Sequence, residues 1–478
     1  MRQDKTKEGP YAKATLAAPS LPQKIFRTSK IRRHLARIKQ QAARRAALSG
    51  TSRTNIDGKK IARDIRGVMQ HFFPDLGERL DAVIDPRLRR DYSMSEILLA
   101  PLVMFVLKQD SRNAMDADRA QGFFAANYFR LFQKRLPHMD TVDDVLVALH
   151  NDELERLKAS LVTTLIEKKV LGKHRMTDGS YRVAIDATGI MTVHEGHCDH
   201  CLRSTSKAGV TRYFHNMLEA KLLTPNGFAI SLATEWIENE VDYDKQDCEL
   251  KAFRRLAETL KRFFPRLPIC ILGDGLYANN TFFSICKDKG WSFIVTLKDA
   301  SLTTVWEDVE MELIVSKNER RVERDGLRHW YRWVSDLTYQ GHKLAWVEWC
   351  ESFEDETNRF VYITNIAVDG DLVIEVAASG RLRFKVENEG FNTLKNLGYG
   401  LSKKFTRTSY DALKNYVSLM QMAHLVNQLY ELSSLVRPLP TAKATIKGLW
   451  KRLISCMVEL AISVEASAPT VRLQIRYE

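Results

Sequence analysis

Two short apolar runs that each stop on an aspartate constrain this chain most. Residues 181–186 (Tyr-Arg-Val-Ala-Ile-Asp) and 268–274 (Pro-Ile-Cys-Ile-Leu-Gly-Asp) are too short for helices and rich in aliphatic side chains. Such runs read as buried strands with a carboxylate at the tip of each. Between them, residues 217–223 and 228–236 form two further strands across the turn 224–227, and residues 247–264 form an amphipathic helix with Leu250, Phe253, Leu256, Leu260 and Phe263 on one side. After Asp274, Asn279 or Asn280 caps a helix that stops at Gly290, and residues 291–297 make a fifth strand.

The order is strand, strand, strand, helix, strand, helix, strand. That order predicts an α/β, RNase H-like mixed sheet with flanking helices. The pattern breaks at 299–357, where residues 328–339 and 343–352 are aromatic and β-branched and pair as a hairpin across 340–342. A strand over 359–368, a helix carrying Glu387 and Glu389, and a long buried helix over 411–435 complete the core. Upstream, residues 65–175 show helical spacing (Leu154, Leu157, Leu161, Leu165) and turn signals, which predicts an all-helical domain of four to six helices.

Charge is concentrated at one end. Residues 1–64 hold 17 of the 72 Lys and Arg but only 4 of the 59 Asp and Glu, an excess that equals the +13 net charge of the whole chain. A concentrated basic arm suits a polyanion, because neutralising phosphates releases counterions; the plainer alternative is a solubilising tail. Residues 1–27, rich in Lys, Pro, Ala and Ser, are expected to be disordered, and residues 28–49 to fold as a basic helix. The longest apolar run, residues 97–107, contains Pro101 and falls short of the ~18–20 residues of a membrane span. With no signal-like N-terminus and seven scattered cysteines, an intracellular, reduced protein is expected.

Paired strand-end acids with a glutamate from a later helix suit two-metal phosphoryl transfer, where Mg²⁺ or Mn²⁺ takes oxygen ligands and sits in a pair ~3.5–4 Å apart. Ala187, Gly189, Gly273 and Gly275 leave space beside the acids. Ordinary loop-capping acids are the bland alternative for any one of them.

Three segments resemble the catalytic motifs of DDE transposases encoded by bacterial insertion sequences: residues 184–189 (Ala-Ile-Asp-Ala-Thr-Gly), 272–278 (Leu-Gly-Asp-Gly-Leu-Tyr-Ala) and 386–395 (Val-Glu-Asn-Glu-Gly-Phe-Asn-Thr-Leu-Lys). The similarity runs from about residue 85 to 435. It implies metal-dependent hydrolysis at element ends followed by strand transfer, on double-stranded DNA, by a bacterial cytoplasmic, nucleoid-associated homodimer. Asp186, Asp274 and a glutamate would bind two Mg²⁺ or Mn²⁺ ions. Against the family signature Y-x2-R-x3-E-x6-K, Arg383 selects Glu387, whereas counting back from Phe391 or Lys395 selects Glu389. Gly380 stands at the Tyr position, and Lys395 comes one residue late.

The same resemblance implies that Arg383, Lys395 and Lys298 hold phosphates. It also implies that a tryptophan of a β insertion, Trp330, Trp333, Trp346 or Trp349, stacks on a flipped base; hairpin core is the competing role for each. The chain then divides into a basic, partly disordered DNA-binding arm (1–64), a helical DNA-binding domain (65–175), two parts of the core (176–298 and 358–435) around the β insertion (299–357), and a C-terminal helical segment (436–478).

Two features stand apart. His194, His197, Cys198, His200, Cys201 and His215 fall within 22 residues. Cys198-x2-Cys201 with His197, His194 or His215 could form a structural zinc site, although an unliganded polar loop is the simpler reading. Glu249 opens the amphipathic helix, where the helix dipole favours an acid; a supporting role near the metals is the alternative. Competing functions are an RNase H-like nuclease or resolvase that cuts without joining, and an inactive transposase-derived DNA-binding protein.

Overall fold

The computed structural model describes residues 29–48, 57–109, 111–193, 198–239, 245–406, 409–436, 446–463 and 473–476. The disorder expected over residues 1–27 lies outside them. The described chain opens with α1 (Lys30–Leu48), α2 (Gly58–Phe72), α3 (Leu76–Asp81), α4 (Met94–Val106), α5 (Arg112–Arg119), α6 (Phe124–Phe132), α7 (Met139–Ala148) and α8 (Asn151–Glu167). Starts are set by short polar caps. Ser93 accepts from the Glu96 amide while Glu96 reaches back to the Ser93 amide, a complete capping box at α4. Every residue of α4 is buried, so it is a core helix despite Pro101.

The sheet follows as β1 (Tyr181–Val193), β2 (Leu202–Thr205), β3 (Thr211–Leu223) and β4 (Ala229–Ile237). Then come α9 (Glu249–Phe263), β5 (Ile269–Gly273), α10 (Asn280–Lys289), β6 (Ser292–Thr296) and α11 (Thr303–Val315). Next are β7 (Glu319–Arg324), β8 (Leu327–Tyr339), β9 (His342–Phe353), β10 (Glu356–Thr364) and α12 (Leu372–Leu382). A π-helical segment, Val386–Phe391, leads into α13 (Asn392–Asn396), and α14 (Tyr410–Glu431) and α15 (Ile446–Glu459) close the described chain.

β3 pairs antiparallel with both β1 and β4, whereas β1, β5 and β6 run parallel to one another. The four-residue edge strand β2 adds to β3. Asn279 caps α10 by accepting from the Phe282 amide, and Gly290 ends it in the left-handed region at φ 69°.

The β hairpins differ from the expected detached insertion. β10 pairs with β6 on one side and β9 on the other, so β7–β10 continue the core sheet without a break. A boundary at residue 357 therefore falls inside β10, and the segment opens with a helix, α11. The β8–β9 turn has positive φ at both Gln340 and Gly341, as a tight hairpin with right-handed strand twist requires.

Helix α14 joins the helical region to the sheet. It packs on α4, α7, α8 and β4 and is buried over nearly its whole length. Two of its buried glutamines are bonded inside: Gln421 bonds Lys158, Thr234 and Glu219, and Gln428 bonds the backbone of Ala229. No helix among the described residues is long and apolar enough to cross a membrane.

Candidate active site

Parallel pairing of β1 and β5 aligns Ala184 with Leu272. Asp274 follows the last residue of β5, as expected, whereas Asp186 lies inside β1, which runs on to Val193 instead of ending at the acid; the parallel register sets the two acids beside one another. Asp274 accepts from the Leu276 amide at 2.9 Å, which fixes the tight turn after β5. Asp186 is half-buried, and its carboxyl is raised above the ordinary carboxylate value, first by burial. Arg383 opposes the shift, and the charges of Asp274 and Glu387 add to it.

Glu387 is thus among the groups whose charge acts on Asp186. Glu389 lies 3.8 Å from Lys385, and one of its carboxylate oxygens is buried without a hydrogen bond.

The π segment explains a spacing that the motif alone leaves odd. The Asn392 amide donates to the Glu387 carbonyl, five residues back, and such a turn accommodates one residue more than an α-turn. Lys395 therefore arrives one position late in sequence yet reaches Thr188, two residues past Asp186, at 2.6 Å. Arg383 meets Asp186 at 3.2 Å. Gly390 is needed where this segment crosses β3, because a Cβ there would lie 2.9 Å from Cε of Lys221. Lys221 is itself fully buried and ion-paired with the equally buried Glu219.

Gly380, at the expected Tyr position, is occupied from outside. A Cβ at 380 would lie 2.5 Å from the ring of Tyr362 on β10, so this ring fills the space above the glycine. Lys298, just beyond β6, packs over Gly275 beside Asp274; a Cβ at 275 would meet its Cε at 2.7 Å. The tryptophans separate by burial. Trp333 and Trp346 belong to the core, and Trp349 packs against His329, Tyr331 and Phe360. Trp330 is half-exposed, with its indole N–H on Glu319 and the Arg332 guanidinium 4.6 Å from its ring. On β8 it stands four strands from β5, or roughly 19 Å at ~4.8 Å per strand.

Two groups join the cluster that the sequence left aside. Glu249, the first residue of α9, accepts from the buried Tyr277 hydroxyl at 2.7 Å. Burial raises its carboxyl, and Asp274 and Asp186 add to the rise. It is a fourth acid at this site. Phe384, half exposed, lies beneath both Arg381 and Arg383 at 4.4 and 5.6 Å, which puts an aromatic face beside the acids.

No family model matches the chain, and no curated protein matches it. Among solved structures, it is similar to the cryo-EM structure of a piggyBac transposase synaptic complex with hairpin DNA. The TM-score is 0.37 and the identity 8%, over 85% of this chain and 81% of that one. Neither result identifies the bacterial insertion-sequence family that the three motifs resemble, so function is argued from the side chains.

Proposed function

We propose that this chain is a DDE-type DNA transposase, with Asp186, Asp274 and Glu387 as its metal-binding acids on an RNase H-like core. What supports this reading is the placing of Asp186 on β1 beside Asp274 just past β5, with Glu387 acting on Asp186, Arg383 bonded to Asp186, Lys395 to Thr188, and Lys298 over Gly275. The order β4-β3-β1-β5-β6, antiparallel then parallel, supports the core assignment.

An all-oxygen donor set of carboxylates fits Mg²⁺ or Mn²⁺, and a divalent cation would offset the burial, and the lesser repulsion from Asp274 and Glu387, that raise Asp186. Bound there, a pair of such ions activates the attacking oxygen and stabilises the leaving one. The protein's own part is positioning. Arg383 can hand its guanidinium from Asp186 to a phosphate oxygen in bidentate geometry, while Lys395 and Lys298 place point charges on the flanking backbone. Phe384 offers a stacking face for an unpaired base at the DNA end. The reaction class is hydrolysis that exposes a 3′-OH, then in-line attack of that hydroxyl on target DNA, by a homodimer holding two ends.

The test is incubation of the full chain with duplex carrying the ends of its own element and Mn²⁺. Nicked ends and joined molecules are expected, and Asp274→Ala should bind DNA while losing at least ~10²-fold in cleavage. Cutting without joining would favour the nuclease. Binding with no cutting by the wild type, or undiminished cutting by Asp274→Ala, overturns the assignment.

A further inference from the structure

A second group of donors lies away from the acids, on the β1–β3 edge. Cys198 and Cys201 sit in the connection between β1 and β2, and His215 lies on β3. Sγ of Cys198 and Sγ of Cys201 are 3.6 Å apart, and each is 3.3 Å from Nε2 of His215. Among the described residues, these are the one set of three or more His, Cys, Asp or Glu ligand atoms that all lie within 4.8 Å of one another; the proposed catalytic acids are spread more widely.

The distances discriminate between explanations. A disulfide needs sulfurs ~2.05 Å apart. Hydrogen bonding accounts for one thiol on Nε2, since the imidazole nitrogen has one lone pair, but not for two thiols converging on it. Zn–S bonds of ~2.3 Å and Zn–N bonds of ~2.0–2.1 Å at tetrahedral angles require edges of roughly 3.8 Å for S···S and 3.6 Å for S···N. The observed edges are within about 0.3 Å of those values. Cys201 and His215 are buried, and Tyr410 stacks on the His215 ring at 4.1 Å, which fixes the ring plane.

We propose that Cys198, Cys201 and His215 hold a structural Zn²⁺, filling three corners of a tetrahedral site. Thiolate and imidazole donors select zinc over the hard cations that suit the carboxylates, so one chain carries two chemically separate metal sites. The simpler reading of this segment as an unliganded polar loop gives way to the geometry. His194 and His197, the other sequence candidates, lie outside the described residues.

The position gives the ion a task. The Cys201 carbonyl accepts from the Asn239 side chain at 3.0 Å, and Asn239 in turn accepts from the Asp247 amide at 3.0 Å. Asp247 lies two residues before Glu249. A zinc clip on this edge therefore fastens the start of α9, which carries the fourth acid.

The test uses metal content of the full chain, purified without chelator. About one zinc per chain is expected, falling at least roughly tenfold in Cys201→Ser and His215→Asn. Asp186→Ala should keep its zinc, so this result stands or falls separately from the proposed catalysis. Should the cysteine variant fail to fold, wild-type protein loaded with Co²⁺ decides, because a tetrahedral thiolate site gives intense sulfur-to-cobalt absorption. Wild type with substoichiometric zinc and no such absorption, or a folded Cys201→Ser that keeps full zinc, overturns the proposal.

Discussion

At the scale of single residues, the site is built at the expense of stability. Burial is the main cause that raises the Asp186 carboxyl; Arg383 opposes it, and the charges of Asp274 and Glu387 add smaller rises. A carboxyl with a raised folded pKa binds its proton more tightly in the folded state. Its stabilising contribution is complete below the unfolded value of ~3.9 and is lost as pH rises through the folded one. At neutral pH the ionised group therefore costs stability, which the proposed divalent cation would offset. Without divalent cations at pH 7, Asp186→Asn should unfold at a higher temperature than wild type, with the gap closing below pH ~4. Mn²⁺ should raise the wild-type midpoint and leave Asp186→Asn unmoved. Equal Mn²⁺ responses in both proteins would remove Asp186 from the metal site. Glu249 follows the same sign, since burial raises it too. Held by Tyr277 rather than placed between the aspartates, it should act more weakly: Glu249→Gln is expected to raise the Mn²⁺ requirement for cleavage by ~10–100-fold while leaving DNA affinity intact. An unchanged Mn²⁺ titration would return Glu249 to an ordinary helix-start acid.

At the scale of elements, the two glutamates of the π segment separate by experiment. Glu387→Gln should lose at least ~10²-fold in cleavage and Glu389→Gln should stay close to wild type; the reverse ranking would mean that the segment turns its other face to the aspartates. Gly390→Ala tests the support beneath. Its Cβ would press on Lys221, whose ammonium is tied to Glu219 in a fully buried pair and cannot swing clear, so a loss of ~1–3 kcal/mol in stability is expected from denaturant unfolding. The same neighbourhood shows what a sequence can carry. Asp186 and Asp274 are legible because a short apolar run ending on an acid is a local signal. The third acid is ambiguous by two residues because a π turn shifts the helical phase, and nothing local announces it. Glu249 reads as a helix-dipole acid because its partners Tyr277 and Asp274 are 28 and 25 residues away and meet it only in the fold. The four-residue β2 carries too little pattern to be read at all. The hairpins are recognisable, but their continuity with the core sheet depends on the pairing of β10 with β6, which sequence spacing does not encode.

At the scale of the whole molecule, the question is where the positive charge acts. The helix expected from the basic segment is α1, and its first turn docks on the tips of the hairpins. Lys30 pairs with Glu354 and Asp355, the Ile31 amide donates to Glu356 at 2.9 Å, and His34 stacks on Phe353 at 4.2 Å. Ile31 is buried where the two meet. The acidic tips thus engage the start of α1, leaving Arg32 and Arg37 exposed further along it. One end is a structural anchor, and under the proposed function the exposed Arg32 and Arg37 are free to meet DNA. Removing residues 1–64 should then weaken binding to any duplex and flatten its salt dependence. Each phosphate that the arm no longer neutralises lowers the slope of log affinity against log salt by ~0.9, so four such phosphates would lower it by about 3.6. At saturating DNA, the cleavage rate should change far less than affinity, because the acids lie on the core sheet. Measured over a range of salt concentrations, a slope equal to that of the full chain would show that the arm's charge serves solubility and not DNA.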